Sequence, residues 1–175
     1  MTLTRRHPRL LILFTLLCLT GSAACTSAPP GGTTMDPLEQ LQARPRMTEA
    51  VATYTEMEAK IRAAITTASP ATVWTPRRER RESFCNTPFD NTGGRTVLLP
   101  SFGAAVPIAD DTWSTVLTAT EAIARRYGLT TTKSVANTPG NYQVRYSNPT
   151  DGAYVDIGSA KAAFVSTNTG CHLPQ

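Results

Sequence analysis

Apolar residues recur at three- and four-residue steps along "MTEAVATYTEMEAKIRAAITTA", residues 47–68. Met47, Val51, Tyr54, Met57 (or Glu58), Ile61, Ile65 and Ala68 make one stripe, and that period predicts a helix. Glu56 with Lys60, and Glu58 with Arg62, are i,i+4 pairs in the favourable order. "ASPA" ends the helix, because a residue before proline avoids the helical region. A second stripe predicts a helix over 110–127: Trp113, Val116, Leu117, Thr120, Ile123, Ala124 and Tyr127. Asp110 or Asp111 is expected to cap it. Arg125 and Arg126 suit the dipole of its last turn, and Gly128 suits the C-terminal cap. A shorter helix is expected over 36–43, with Asp36 as cap and Pro37 at the first helical position.

Elsewhere the period shortens to two. "ATVW", 71–74, predicts a short strand with Trp74 turned inward, and the following "TPRRERRES", 75–83, a charged loop or irregular edge. "RTVLLPSFGAAVP", 95–107, is strand-like, with Pro100 and Gly103 marking a bend, edge or bulge. After the second helix come "LTTTKSVAN", "NYQVRYS", "AYVDIGS" and "AAFVSTN", joined by the turn-forming "TPGN", "NPTDG" and "SAK". Tyr142, Val144 and Tyr146 alternate with Gln143, Arg145 and Ser147, so one face of these strands should be buried and the other wet. The pattern predicts an α+β two-layer sandwich, two main helices packed on one face of an antiparallel sheet.

The first 25 residues follow a different rule. "MTLTRRHPR" is short and basic, "LLILFTLLCLT" is almost wholly apolar, and "GSAAC" supplies small residues. That is the layout of an export signal. Its apolar run falls well short of the roughly 20 residues needed to span a bilayer as a helix. Ser22 and Ala24 suit an ordinary signal peptidase. Ala23, Ala24 and Cys25 also resemble a bacterial lipobox, from which Ser22 departs where Leu is usual. "TSAPPGGTT" then reads as a polar tether. The expected organisation is a signal peptide over 1–24, lipid attachment at Cys25 with tether and short helix over 25–45, and a single α+β domain over 46–175. The expected location is the outer face of the cell membrane, or a secreted state if the lipobox is not used. Cys18 is discarded with the signal.

Removing the signal changes the charge. The formal +4 falls to about +1, since Arg5, Arg6 and Arg9 lie in the signal and leave 14 Lys and Arg facing 13 Asp and Glu. A nucleic-acid groove needs many clustered cations, so nucleic acid is not an expected partner. Removing it also leaves Cys85 and Cys171 as the remaining pair within the domain. Outside the cytosol such thiols usually pair, and here the bond would close a loop of about 86 residues. A redox pair normally sits as Cys-x-x-Cys, which is absent, and a zinc site needs more ligands than His172 can add. No metal or other cofactor is expected.

A search for catalysis yields no residue to nominate. No Gly-rich phosphate loop, nucleophile elbow or His-Glu-x-x-His occurs. His172 reads as a surface or half-buried residue near the chain end. Asp110, Asp111, Asp151 and Asp156 offer no distinguished carboxylate pair. The local oddity is Arg77, Arg78, Arg80 and Arg81, interleaved with Glu79 and Glu82. These charges partly cancel as a solvated loop, or they form a patch for an anionic ligand.

The signal with Cys25, the helix "EAVATYTEMEAKIRAAI" followed by "VW", Cys85 shortly after, and the ending "TGCHLP" together resemble the LppA-like lipoproteins of actinobacteria. The resemblance implies membrane anchoring through lipid and a small exported domain, not a reaction. The leading expectation is therefore a lipid-anchored envelope protein, a non-enzymatic module that meets an envelope protein or ligand. A binder of anionic lipid or glycolipid and a hydrolase with an unrecognised site are the alternatives.

Overall fold

The computed structural model describes residues 35–175; the expected export signal, Cys25 and most of the expected tether lie outside the described residues. The elements are α1 (Pro37–Gln42), α2 (Met47–Ala68), β1 (Thr75–Arg78), β2 (Arg81–Phe84), β3 (Arg95–Leu98), β4 (Ser101–Gly103), α3 (Asp110–Arg126), β5 (Thr131–Thr138), β6 (Asn141–Ser147), β7 (Tyr154–Ser159) and β8 (Ala163–Asn168). The helices form where the three-to-four period predicts them. In α2 the buried side chains are Met47, Ala50, Tyr54, Met57, Glu58, Ile61 and Ile65. In α3 they are Trp113, Val116, Thr120 and Ala124. Gly128 closes α3 at φ +82°, a backbone region that side-chain-bearing residues rarely enter. None of the described helices is long and apolar enough to cross a membrane.

The eight strands make one antiparallel sheet in the order β1-β4-β8-β7-β6-β5, with β2 hydrogen-bonded to β3 and β3 also to β8. Chain order and pairing together show that β1 and β2 run in line, as do β3 and β4. An interrupted outer strand thus pairs with an interrupted inner one. The break in the inner pair falls at Leu99-Pro100, where proline removes a ladder donor. α2 and α3 pack on each other and over one face of the sheet, giving a two-layer α+β sandwich. The core between the layers joins Met57, Ile61 and Ile65 of α2 to Val97, Val144, Tyr146, Val155, Ile157 and Val165. Trp113 stacks on Tyr142 with ring centroids 5.0 Å apart.

The structure differs from the sequence pattern in two places. The strand expected over 71–74 starts instead at Thr75 and runs through the charged segment. Of the two readings of "TPRRERRES", loop or irregular edge, the structure takes the edge: the segment supplies β1 and β2, with a bulge between Pro76 and Arg78. Trp74 still packs against the core, donating from Nε1 to Arg62 O at 3.2 Å and Thr66 Oγ1 at 3.1 Å. A charged, bulged edge strand resists pairing with another chain, which explains its composition without a period-two pattern. The second difference is at α3. Ala109 occupies the cap position with no side-chain cap, and Asp110 accepts instead from the Gly140 amide at 3.0 Å, tying α3 to the β5–β6 turn.

Candidate functional site

Strand pairing decides which side chains share a face, since residues opposite one another in an antiparallel pair point the same way. Val144, Val155, Ile157 and Val165 turn toward the helices. Asp156 therefore faces away from them, opposite Ser166 on β8 and Arg145 on β6. Gly158 lies opposite Phe164, and Phe164 opposite Gly103 on β4. No helix among the described residues covers this second face.

A hollow of about 390 Å³ lies on it, lined by Arg77, Arg78, Ser101, Asp156, Phe164 and Ser166, with Phe102 at its margin. Two glycines make room for its walls. A Cβ at Gly158 would meet the Phe164 ring at 2.2 Å, so the ring lies flat across that glycine. A Cβ at Gly103 would meet Arg77 Nε at 2.8 Å and Cγ at 3.0 Å, so the Arg77 side chain is seated on Gly103. Asp156, at the floor, is held by Arg145 through two bonds, Nε to Oδ1 at 2.8 Å and Nη2 to Oδ2 at 2.6 Å. That bidentate pairing satisfies the carboxylate and raises the hold of Arg145 on its proton. Arg145 also lies over the Tyr154 ring at 3.9 Å. Arg77 and Arg78 have no carboxylate at ion-pair distance among the described residues.

The sequence presents Arg77, Arg78, Arg80 and Arg81 as one cluster, and the fold divides it. Arg77 and Arg78 border the hollow. Arg80 is turned to Glu82 at 3.7 Å, which also faces Arg95 at 3.7 Å. Arg81 lies opposite Leu98, farther along the edge. The participation of Ser101, Phe164 and Ser166 is invisible to sequence reading, because it depends on β4 pairing with β8 across some 60 residues of chain.

A second polar group lies near the disulfide. Cys85 and Cys171 are bonded, with Cα atoms 5.7 Å apart, and Leu41 of α1 packs on them. His172 is neither at the surface nor half-buried, the two places the sequence suggests; it is 1% exposed. The reason is its neighbours: Nδ1 is 2.9 Å from Pro45 O and Nε2 is 2.8 Å from Thr169 O. Asp151 Oδ2 lies 3.8 Å from Nε2 and accepts from Tyr54 Oη at 2.7 Å. Burial, followed by that bond to Asp151, holds the Tyr54 phenol well above its ordinary range. A carboxylate and a histidine thus meet, but in the interior and with both ring nitrogens engaged by carbonyls. Both nitrogens point at backbone carbonyls and the ring is shut off from solvent, so a substrate does not reach it. A hollow of about 430 Å³ adjoins this region, bordered by Arg44, Phe89, Tyr154 and Asn168. The Arg44 guanidinium is committed there, donating to Cys171 O at 2.9 Å and Thr150 O at 2.7 Å while covering the Phe89 ring at 4.6 Å. Burial lowers its pKa. Both observations make this group a brace that joins α1, α2 and the C-terminus.

The profile of the LppA family, described as a lipoprotein confined to pathogenic Mycobacterium, matches residues 24–175. The chain belongs to the LppA family. Among solved structures it is similar to the crystal structure of the lipoprotein LppA from Mycobacterium tuberculosis. The TM-score is 0.65 at 15% identity, over 79% of this chain and 84% of that one. It is also similar to a DUF4853 family protein from Actinomyces odontolyticus ATCC 17982, with a TM-score of 0.50 at 12% identity, over 77% and 72% of the two chains. At such identities these likenesses speak for the fold. No curated protein matches the chain. LppA membership makes the protein one of a lipoprotein family, as the signal and cysteine pattern imply.

Proposed function

We propose that this LppA-family protein is cleaved before Cys25 and lipidated on that residue. It is then held on the outer face of the cell membrane, where its domain acts as a binding module rather than an enzyme. Family membership and the sequence "GSAAC" support the anchor. Two acyl chains on one cysteine suffice for stable attachment, whereas a single chain gives only marginal binding. The observation that carries the binding reading is the uncovered sheet face, with its hollow and its two guanidiniums unmatched by carboxylates among the described residues.

Intact-mass analysis of the membrane form should find Cys25 as a lipidated N-terminus, and Cys25→Ser should lose stable membrane attachment. An unmodified N-terminus in the mature, membrane-bound chain would refute the anchor. For the binding reading, a photo-crosslinking residue placed at position 166 should capture an envelope component in living cells. The same residue at position 56, on the exposed side of α2, should not. Equal capture from both positions would remove the open face as the binding surface.

A further inference from the structure

We infer that the hollow on the open face takes the anionic group of a phosphate monoester whose ring or apolar body lies against Phe164. This rests on the binding reading above and gives it a ligand class. Five features converge on it. Arg77 and Arg78 enter from the edge strand β1 on the side of the hollow away from Arg145. A guanidinium presents paired N–H donors matched to phosphate oxygens, and two of them suit a doubly charged group better than a single carboxylate. Ser101 and Ser166 border the hollow and add hydroxyls that complement phosphate oxygens. The one carboxylate present, Asp156, is neutralised by the bidentate Arg145 pair, so it repels an incoming anion far less than a free carboxylate would.

The remaining two features give the ligand its body and its orientation. Phe164 lies flat over Gly158 and supplies an apolar platform beside the cations. The Arg77 stem rests on Gly103, so its guanidinium is placed at the rim rather than free to wander. A volume of about 390 Å³ accommodates a headgroup or a small phosphorylated molecule, and lies at the small end of ligand pockets. The phosphate could belong to a lipid headgroup or to a soluble monoester; the recognition chemistry is the same.

The test uses residues 26–175, which hold every core residue and the disulfide. Phenyl phosphate is titrated while backbone amide NMR shifts are followed, with benzyl alcohol as the neutral control. Vesicles of phosphatidylcholine with and without dioleoylphosphatidic acid form the lipid arm. Phenyl phosphate at millimolar concentration should move the amides of Ser101, Gly103 and Phe164, and benzyl alcohol should not. Arg77→Ala with Arg78→Ala should weaken binding by about tenfold or more, since each charge-assisted contact is worth that much. Gly103→Ala pushes the Arg77 stem, from Cγ to Nε, off its seat and should weaken binding less than removal of both arginines.

Recruitment to phosphatidic acid vesicles that requires the same arginines supports the inference with a lipid as source. Phenyl phosphate binding without recruitment supports it with a soluble source. Equal shifts with benzyl alcohol would overturn the anion while leaving the face as a binding surface. Shifts that persist undiminished in the double arginine variant would overturn it, as would no shift with any probe, which would also count against the binding reading.

Discussion

Glu58 shows how one side chain can stand on the apolar stripe of a helix and still be a carboxylate. It is 3% exposed on α2, its Oε1 lies 3.7 Å from Arg62 Nε, and its Oε2 has no hydrogen-bond partner among the described residues. Burial dominates over the opposing pulls of Thr167 and Arg62, and pushes its pKa up to about 7 from an ordinary value of 4.5. Between those two values the folded chain binds more protons than the unfolded one. Stability therefore falls as pH rises through that window and levels off above it. Glu58→Gln keeps the shape and removes the charge. Relative to the parent it should gain on the order of 3 kcal/mol at pH 8 and little at pH 4. Urea unfolding at the two pH values measures this, and an equal effect at both would show that ionisation of Glu58 is not the cause. The stripe offered Met57 or Glu58 at one position, and the fold buries both; which carboxylates meet a cation was not legible. Glu58 is left with Arg62 at 3.7 Å, whereas Asp156 takes two bonds from Arg145.

Among the elements, α2 and β6 were the most readable and the outer edge the least. α2 forms over 47–68 and β6 over Asn141–Ser147, where long stretches of one period leave little alternative. β1 and β2 have no apolar alternation, and all eight of their residues are exposed. Such strands are held by ladder hydrogen bonds to β4 and β3, a tertiary fact that no local pattern encodes. The cap of α3 fails for a related reason. Asp110 has two places to bond, and the turn at Gly140 takes it. The same asymmetry predicts how elements respond to mutation. Ile61 is fully buried between α2 and the sheet, so Ile61→Ala should cost about 2–5 kcal/mol in chemical denaturation. A cost under about 1 kcal/mol would mean that the two layers do not close around it.

At the scale of the whole molecule, the Cys85–Cys171 bond joins the end of the outer edge strand to the chain terminus across 86 residues. Beside it, Leu41, Arg44, Tyr54, Asp151 and His172 tie α1, α2 and the terminus together. Closing a loop of that length should contribute about 4–5 kcal/mol. The Cys85→Ala, Cys171→Ala double variant should lose a comparable amount in urea unfolding. The LppA fold itself should persist, because the main core lies away from the bond. Collapse of that core in the double variant, seen as loss of amide dispersion, would show the bond to be essential to the fold instead.

What the sequence determined by itself is whatever depends on neighbours along the chain. The three helices, the four C-terminal strands and the two-layer plan all follow from runs and periods. Even the disulfide follows, once the signal is set aside, from there being two cysteines left in the domain. What only the tertiary structure decided is what depends on meetings across the chain. It settled the charged segment as an edge and not a loop, and it buried a histidine near the terminus. It divided four arginines and set two of them beside Ser101, Phe164 and Ser166. The physical reason is range. Periodicity records which face of an element seeks burial, whereas a site is set by which elements become neighbours, and that is settled by the packing of the whole core.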